Sequence, residues 1–179
     1  MVRVWCVLAL GASMSAVMSA TVVVPADMGD LSREARIIAR GRVDAVEPRW
    51  TDDRRAVETL VTLSAESYLK GALGSTLQFR VPGGRLGRFR SVTVGAPEFT
   101  VGQRLIVFLG ASGPGLPFIV GLGQGVFRVT PSGQQWLVTP PPVLPSVRTV
   151  PIVRGDRSRT PTPLAQFEQR VRSLVGGAR

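Results

Sequence analysis

The chain has 179 residues, with 22 Lys and Arg against 12 Asp and Glu, one cysteine, no histidine and a formal net charge of +10 at pH 7. Without histidine, and with its one thiol at Cys6, it lacks most side chains used for zinc binding, thiol chemistry and His-based nucleophilic catalysis. Lys70 is the sole lysine, so the positive charge is nearly all arginine. Such a surface suits anionic partners (nucleic acid, acidic glycans, lipid headgroups or an acidic protein face). The same composition, with no Asn and much Ala, Gly, Arg, Val and Pro, also fits the bias of a GC-rich genome.

Residues 1–20 read as a cleavable export signal. Arg3 supplies a positive start, Val4 to Val17 an apolar run, and Val17-Met18-Ser19-Ala20 a small-residue exit. The run of 14 residues is short of the roughly 20 that span a bilayer. Cys6 is too close to the N-terminus for a lipoprotein cleavage box. Cleavage removes Cys6 and Arg3, leaving about 159 residues at +9 with no transmembrane segment. That length supports one domain, 21–138, held by burial without disulfides. The expected location is periplasmic or extracellular.

Asp30 to Ala35 predicts one helical turn, capped by Asp30 or Ser32. From Arg36 the period becomes two. Ile37, Ala39, Gly41, Val43 and Ala45 share one side of a strand, with Arg40, Arg42 and Asp44 opposite. Arg49 to Arg55 is polar and turn-like. Val57, Thr59, Val61, Leu63 and Ala65 alternate with Glu58, Thr62, Ser64 and Glu66 in a second long strand, stopped by Lys70-Gly71. Leu77, Phe79 and Val81 mark a third strand, ended by Pro82-Gly83-Gly84. Val92 and Val94 suggest a fourth. Leu105 to Leu109 is continuously apolar, as in a central strand buried on both faces. Phe118 to Leu122, Val126 to Thr130 and Gln135 to Val138 complete the series, with a hairpin turn at Pro131-Ser132-Gly133-Gln134.

About eight short strands with turn residues between them predict a mainly β fold: a small antiparallel OB-like barrel, or a sandwich, with a C-terminal helix. Prolines at 140–142, 145 and 151 make 139–163 an extended strap. Thr162 is placed to cap the helix 164–175, with Pro163 at its first position and Gly176-Gly177 at its end. Its stripe of Leu164, Phe167, Val171 and Leu174 is expected to dock on the barrel, while Gln166, Gln169, Arg170 and Arg172 face water. A partner-binding helix is the alternative.

Candidate chemistry is sparse. Ser67-Tyr68-Leu69-Lys70 matches the S-x-x-K motif of penicillin-binding enzymes, but it falls at a strand end, where Ser67 and Lys70 point to opposite faces. Glu58 and Glu66 lie about 26 Å apart along a strand, against about 5–9.5 Å for glycosidase pairs. Asp52-Asp53 reads as a solvated turn, too poor in oxygen ligands for calcium. Gly121, Gly123 and Gly125 are followed by a strand rather than the helix a phosphate cradle needs, so close backbone approach is expected there. The best basic patch is Arg80, Arg85, Arg88 and Arg90 around the Pro82-Gly83-Gly84 turn, interleaved with Phe79 and Phe89. Arg148, Arg154, Arg157 and Arg159 form a second set. Solvated faces are the plain alternative for both.

Several segments in order resemble a widespread class of small exported bacterial proteins without an assigned role. They are LSREARIIARGRV (from Leu31), TLVTLSAESYLKG (from Thr59), VPGG (from Val81), GAPEFTVGQ (from Gly95), Val107-Phe108-Leu109 and GLGQGVF (from Gly121). The layout is also similar to the netrin-module/TIMP type of OB-fold barrel. Inhibitors of that type chelate a protease zinc through a mature N-terminal cysteine, which a chain starting near Thr21 does not have. A fold likeness carries no function by itself. The expectation is an exported, non-enzymatic binding module needing no cofactor or metal. Its contact surfaces are the Arg80, Arg85, Arg88 and Arg90 region and the proline strap, and its partner is a protein or anionic surface ligand rather than nucleic acid. The alternatives are charge-driven binding to acidic polymers or a membrane surface, an unrecognised hydrolase with a carboxylate or Ser site, and a protease inhibitor.

Overall fold

A computed structural model describes residues 26–141 and 160–177. The predicted export signal, most of the predicted proline strap and its arginine set lie outside them. A short helix α1 (Met28–Glu34) leads into two long strands, β1 (Ile37–Trp50) and β2 (Val57–Lys70). They are followed by β3 (Thr76–Pro82), a small hairpin of β4 (Gly84–Leu86) and β5 (Phe89–Ser91), and β6 (Arg104–Gly110). Then come β7 (Phe118–Ile119), a 3-10 turn at Leu122–Gly125, β8 (Val126–Ser132) and β9 (Gln135–Thr139). The pair β10 (Thr162–Pro163) and the helix α2 (Leu164–Gly176) close the order.

The fold is mainly β, and its sheet closes on itself. β1 runs antiparallel to β2 from Ile38↔Lys70 to Trp50↔Val57, and antiparallel to β6 from Ile37↔Leu109 to Arg42↔Arg104. β2 continues antiparallel to β3, β3 meets β7 in parallel at Arg80↔Phe118, and β7 returns antiparallel to β6. Five strands thus form a ring. Numbered along the chain, they neighbour one another in the order first, second, third, fifth, fourth, first. Register shifts in β1 between Ile38 and Ala39, Arg40 and Gly41, and Val43 and Ala45 give the local bend that such closure requires. β8, β9 and β10 extend the sheet outward from β6.

Two cores lie on opposite sides of β1 and β6. Ile37, Ala39, Val43, Val61, Leu63, Leu77, Phe79, Val81, Leu105, Val107 and Leu109 fill the ring. Ile38, Ile106, Phe108, Phe127, Val129 and Val138 form the outer core with Leu31 of α1 and Phe167 and Val171 of α2. The five residues Leu105–Leu109 are therefore all buried because alternate side chains enter different cores. This is the central strand that the continuous apolar run predicts.

Several local expectations are corrected. Asp27, not Asp30 or Ser32, caps α1; Asp30 sits at the third helical position and completes a capping box with it. Val92 and Val94 form no strand; the extra pair is the β4–β5 hairpin. The strand expected over Phe118–Leu122 stops at Ile119, and the backbone turns into the 3-10 segment. Gly123 there comes so close to its neighbour that a Cβ would lie 2.8 Å from Gly95 O, which explains the spaced glycines as close approach. Thr162 does not cap α2. It pairs with Val138 of β9, and Pro163 occupies the cap position without a side-chain bond. Phe167 and Val171 dock as expected, while Leu174 is exposed and Val175 packs in its place.

Candidate functional site

The sequence from Pro82 to Phe99 builds one end of the ring. Gly83 and Gly84 redirect the chain with φ of 95° and 149°, a region that favours glycine. A Cβ on Gly84 would also stand 2.7 Å from Thr59 Oγ1. That hydroxyl donates to Gly83 O at 2.8 Å, and Val57 N–H donates to Ser91 Oγ at 2.8 Å, which fastens both hairpin strands to β2. The hairpin turns at Gly87-Arg88, with Leu86 opposite Phe89 and Arg85 opposite Arg90. Phe89 meets Trp50 edge-on at 5.0 Å, and the Arg88 guanidinium lies 5.1 Å over the Phe89 ring.

Between this hairpin and the segment 92–99 lies an open groove of about 530 Å3, within the usual range for ligand sites. Val46 and Thr59 lie at its ring side, Pro97 and Phe99 on the far wall, and Arg85 and Arg90 on the hairpin wall. Two like charges directly opposite each other on paired strands repel. Among the described residues no carboxylate lies within 4.0 Å of Arg80, Arg85, Arg88 or Arg90. Glu98 is the one acid in the groove lining. Arg85 and Arg90 thus share one face of the hairpin, where Arg85 Nε donates to Gly87 O at 3.4 Å, and guanidinium forks suit carboxylate or phosphate oxygens.

The structure brings Arg85 and Arg90 together and leaves the other two predicted arginines apart. Arg88 is at the hairpin tip. Arg80 alternates outward on β3, since Leu77, Phe79 and Val81 take the inward positions. Its backbone N–H donates to Pro117 O at 2.9 Å, and it does not line the groove.

Several other titratable groups serve the frame. Glu58 is buried, and both Nε and Nη2 of Arg49 reach its Oε1, at 2.9 and 2.8 Å. Glu66 pairs with Arg104 at 2.9 Å and Arg40 at 3.6 Å. Arg40 Nε also stands 3.1 Å from Glu168 Oε1 of α2, an ion pair without the angle of a hydrogen bond. Glu58 and Glu66 are therefore in separate ion pairs. Ser67 and Lys70 lie in β2, and Lys70 Nζ donates to Ser32 O at 2.7 Å, satisfying a carbonyl at the end of α1. Asp53 sits in the turn after β1. The Thr51 hydroxyl, then the Arg55 N–H, hold its carboxyl below the ordinary carboxylate value. Among the described residues no group of three or more His, Cys, Asp or Glu converges as a metal site.

Sequence reasoning missed the groove's second wall and the Arg40–Glu66–Arg104–Glu168 cluster. The only local signal for the wall was Pro97 beside Phe99. No family model matches the chain, and no curated protein matches it.

Proposed function

We propose that the protein is an exported, non-enzymatic binding module that holds an anionic partner at the arginine groove of its ring. The observation that carries this reading is Arg85 directly opposite Arg90, both lining the open groove and neither with a carboxylate partner among the described residues. A hairpin kept for structure alone gains nothing from that repulsion. The ring itself is read as an OB-like barrel. The support is its strand order, with one parallel contact between the third and fifth strands. Barrels of this class commonly bind ligands across a sheet face and its flanking loops.

The double variant Arg85→Gln/Arg90→Gln tests the groove. Retention of the parent protein on an immobilised polyanion is expected to fall steeply with salt. The variant is expected to elute at distinctly lower salt with an unchanged melting temperature, since both side chains are exposed. Equal elution of variant and parent would remove the groove from the reading. Arg80→Gln/Arg128→Gln, at two exposed positions outside the groove, serves as the control of equal charge change.

Export rests on the pattern of residues 1–20, and among the described residues no helix is long and apolar enough to cross a membrane. The mass of the protein recovered outside the cytoplasm tests it. Processing leaves a chain beginning at Thr21, whereas an intact chain retained in the cytoplasm would refute export.

A further inference from the structure

The hairpin and the loop after it expose three large apolar side chains within six residues: Phe89 at 46%, Val92 at 71% and Val94 at 63%. They stand in the same stretch as Arg85, Arg88 and Arg90, none of which has a carboxylate within 4.0 Å among the described residues. Val92 and Arg85 both line the groove, and Arg88 covers the Phe89 ring. We propose that this hairpin tip docks on an anionic lipid surface, with Arg85 and Arg90 holding headgroup phosphates and Phe89, Val92 and Val94 entering the acyl boundary. The inference rests on the anionic-groove reading and names its partner.

The apolar residues decide between occupants. A soluble polyanion engages the guanidiniums but gains nothing from exposed valines. A second copy of this chain would set arginine against arginine. A protein partner of ordinary interface size needs about 800 Å2 from each side, which strands of three residues and a short loop do not supply. A lipid interface uses both features together. Apolar side chains enter the boundary region, and each arginine near an anionic leaflet adds electrostatic attraction that salt screens. Trp50, against Phe89, gives the docking a built-in optical reporter.

The experiment is co-sedimentation of the purified protein with mixed phosphatidylglycerol–phosphatidylcholine vesicles and with pure phosphatidylcholine vesicles. Parent and variants share the same N-terminus, so differences belong to the hairpin. The parent is expected on the anionic vesicles and not on the neutral ones. In a Trp5→Phe/Trp136→Phe background, where Trp50 is the one tryptophan left, its emission should shift to the blue. Arg85→Gln/Arg90→Gln should weaken binding about 30-fold, at roughly fivefold per guanidinium. Val94→Ser, outside the groove lining, should weaken it about threefold while leaving retention on dextran sulfate unchanged. Matching melting temperatures and circular dichroism would show that the variants keep the fold. If the valine variant binds vesicles like the parent, insertion is overturned and only adsorption by charge remains. If vesicles fail but dextran sulfate or an acidic peptide binds through Arg85 and Arg90, the lipid inference falls and the groove reading stands. Failure of every anionic probe would end both.

Discussion

Phe108→Ala is expected to lower the unfolding free energy by about 3–5 kcal/mol, on the order of 10 °C in melting temperature at this chain length. Phe108 is 0% exposed on β6. Its ring lies 5.4 Å from that of Phe127, which lies 5.0 Å from Phe167 of α2. These three rings join the ring sheet, the outer strands and the C-terminal helix into one core. The strand beneath Phe108 cannot move to fill the space. β1 pairs along one edge of β6 from Arg104 to Leu109, while β8 and β7 divide the other. A site that cannot collapse keeps its cavity, which favours the upper part of the range. The helix has a further dependence on this site, because its two most buried residues, Phe167 and Val171, belong to the same cluster. Loss of α2 ellipticity should accompany the drop. Val92→Ala, at an exposed loop position, is the companion measurement and should stay within about 0.5 kcal/mol of the parent. Urea unfolding of both proteins gives the comparison. A loss below about 1 kcal/mol for Phe108→Ala would show that the outer face of β6 is not closely packed.

The strands were legible wherever side-chain alternation coincides with burial. β3 shows it without a break, with Leu77, Phe79 and Val81 buried between exposed neighbours. The unbroken run Leu105–Leu109 is legible for a different reason, since two cores leave none of its five positions facing water. The β4–β5 hairpin was not legible. Gly84-Arg85-Leu86 and Phe89-Arg90-Ser91 contain no β-branched residue, so Gly87-Arg88, whose leading glycine suits a type II′ turn, lacks the flanking strand pattern that marks a hairpin. Val92-Thr93-Val94 carries strand propensity but finds no partner strand, so Val92 and Val94 stay exposed. Propensity describes fit to a sheet face, and here no face is offered. The arginines of the site were visible as a patch, whereas their opposition depends on a register that only the hairpin sets. The Arg40–Glu168 pair joins positions 128 residues apart, a separation that no local pattern records.

Gly41→Ala is expected to destabilise the protein by about 3 kcal/mol, at or beyond the usual limit for overpacking. An added Cβ would fall well inside contact distance of Ser64 O and 2.9 Å from Leu63 Cγ. The first of these is backbone, held by the β1–β2 and β2–β3 ladders. Relief therefore requires the two longest strands to separate at a bulge, where β1 also bends to meet β6. Backbone conformation is not the cause, because Gly41 is not among the glycines with positive φ. Gly87 supplies the opposite case. Its φ is 59°, yet a Cβ there meets nothing within 4 Å. Gly87→Ala should thus cost only the left-handed strain of one residue, about 1–2 kcal/mol. It should act at the hairpin tip without touching the ring. Thermal unfolding of the two variants separates close approach from conformational strain. If Gly41→Ala is the milder of the two, β1 and β2 are not pressed together at that bulge, and the account of how the ring closes must change.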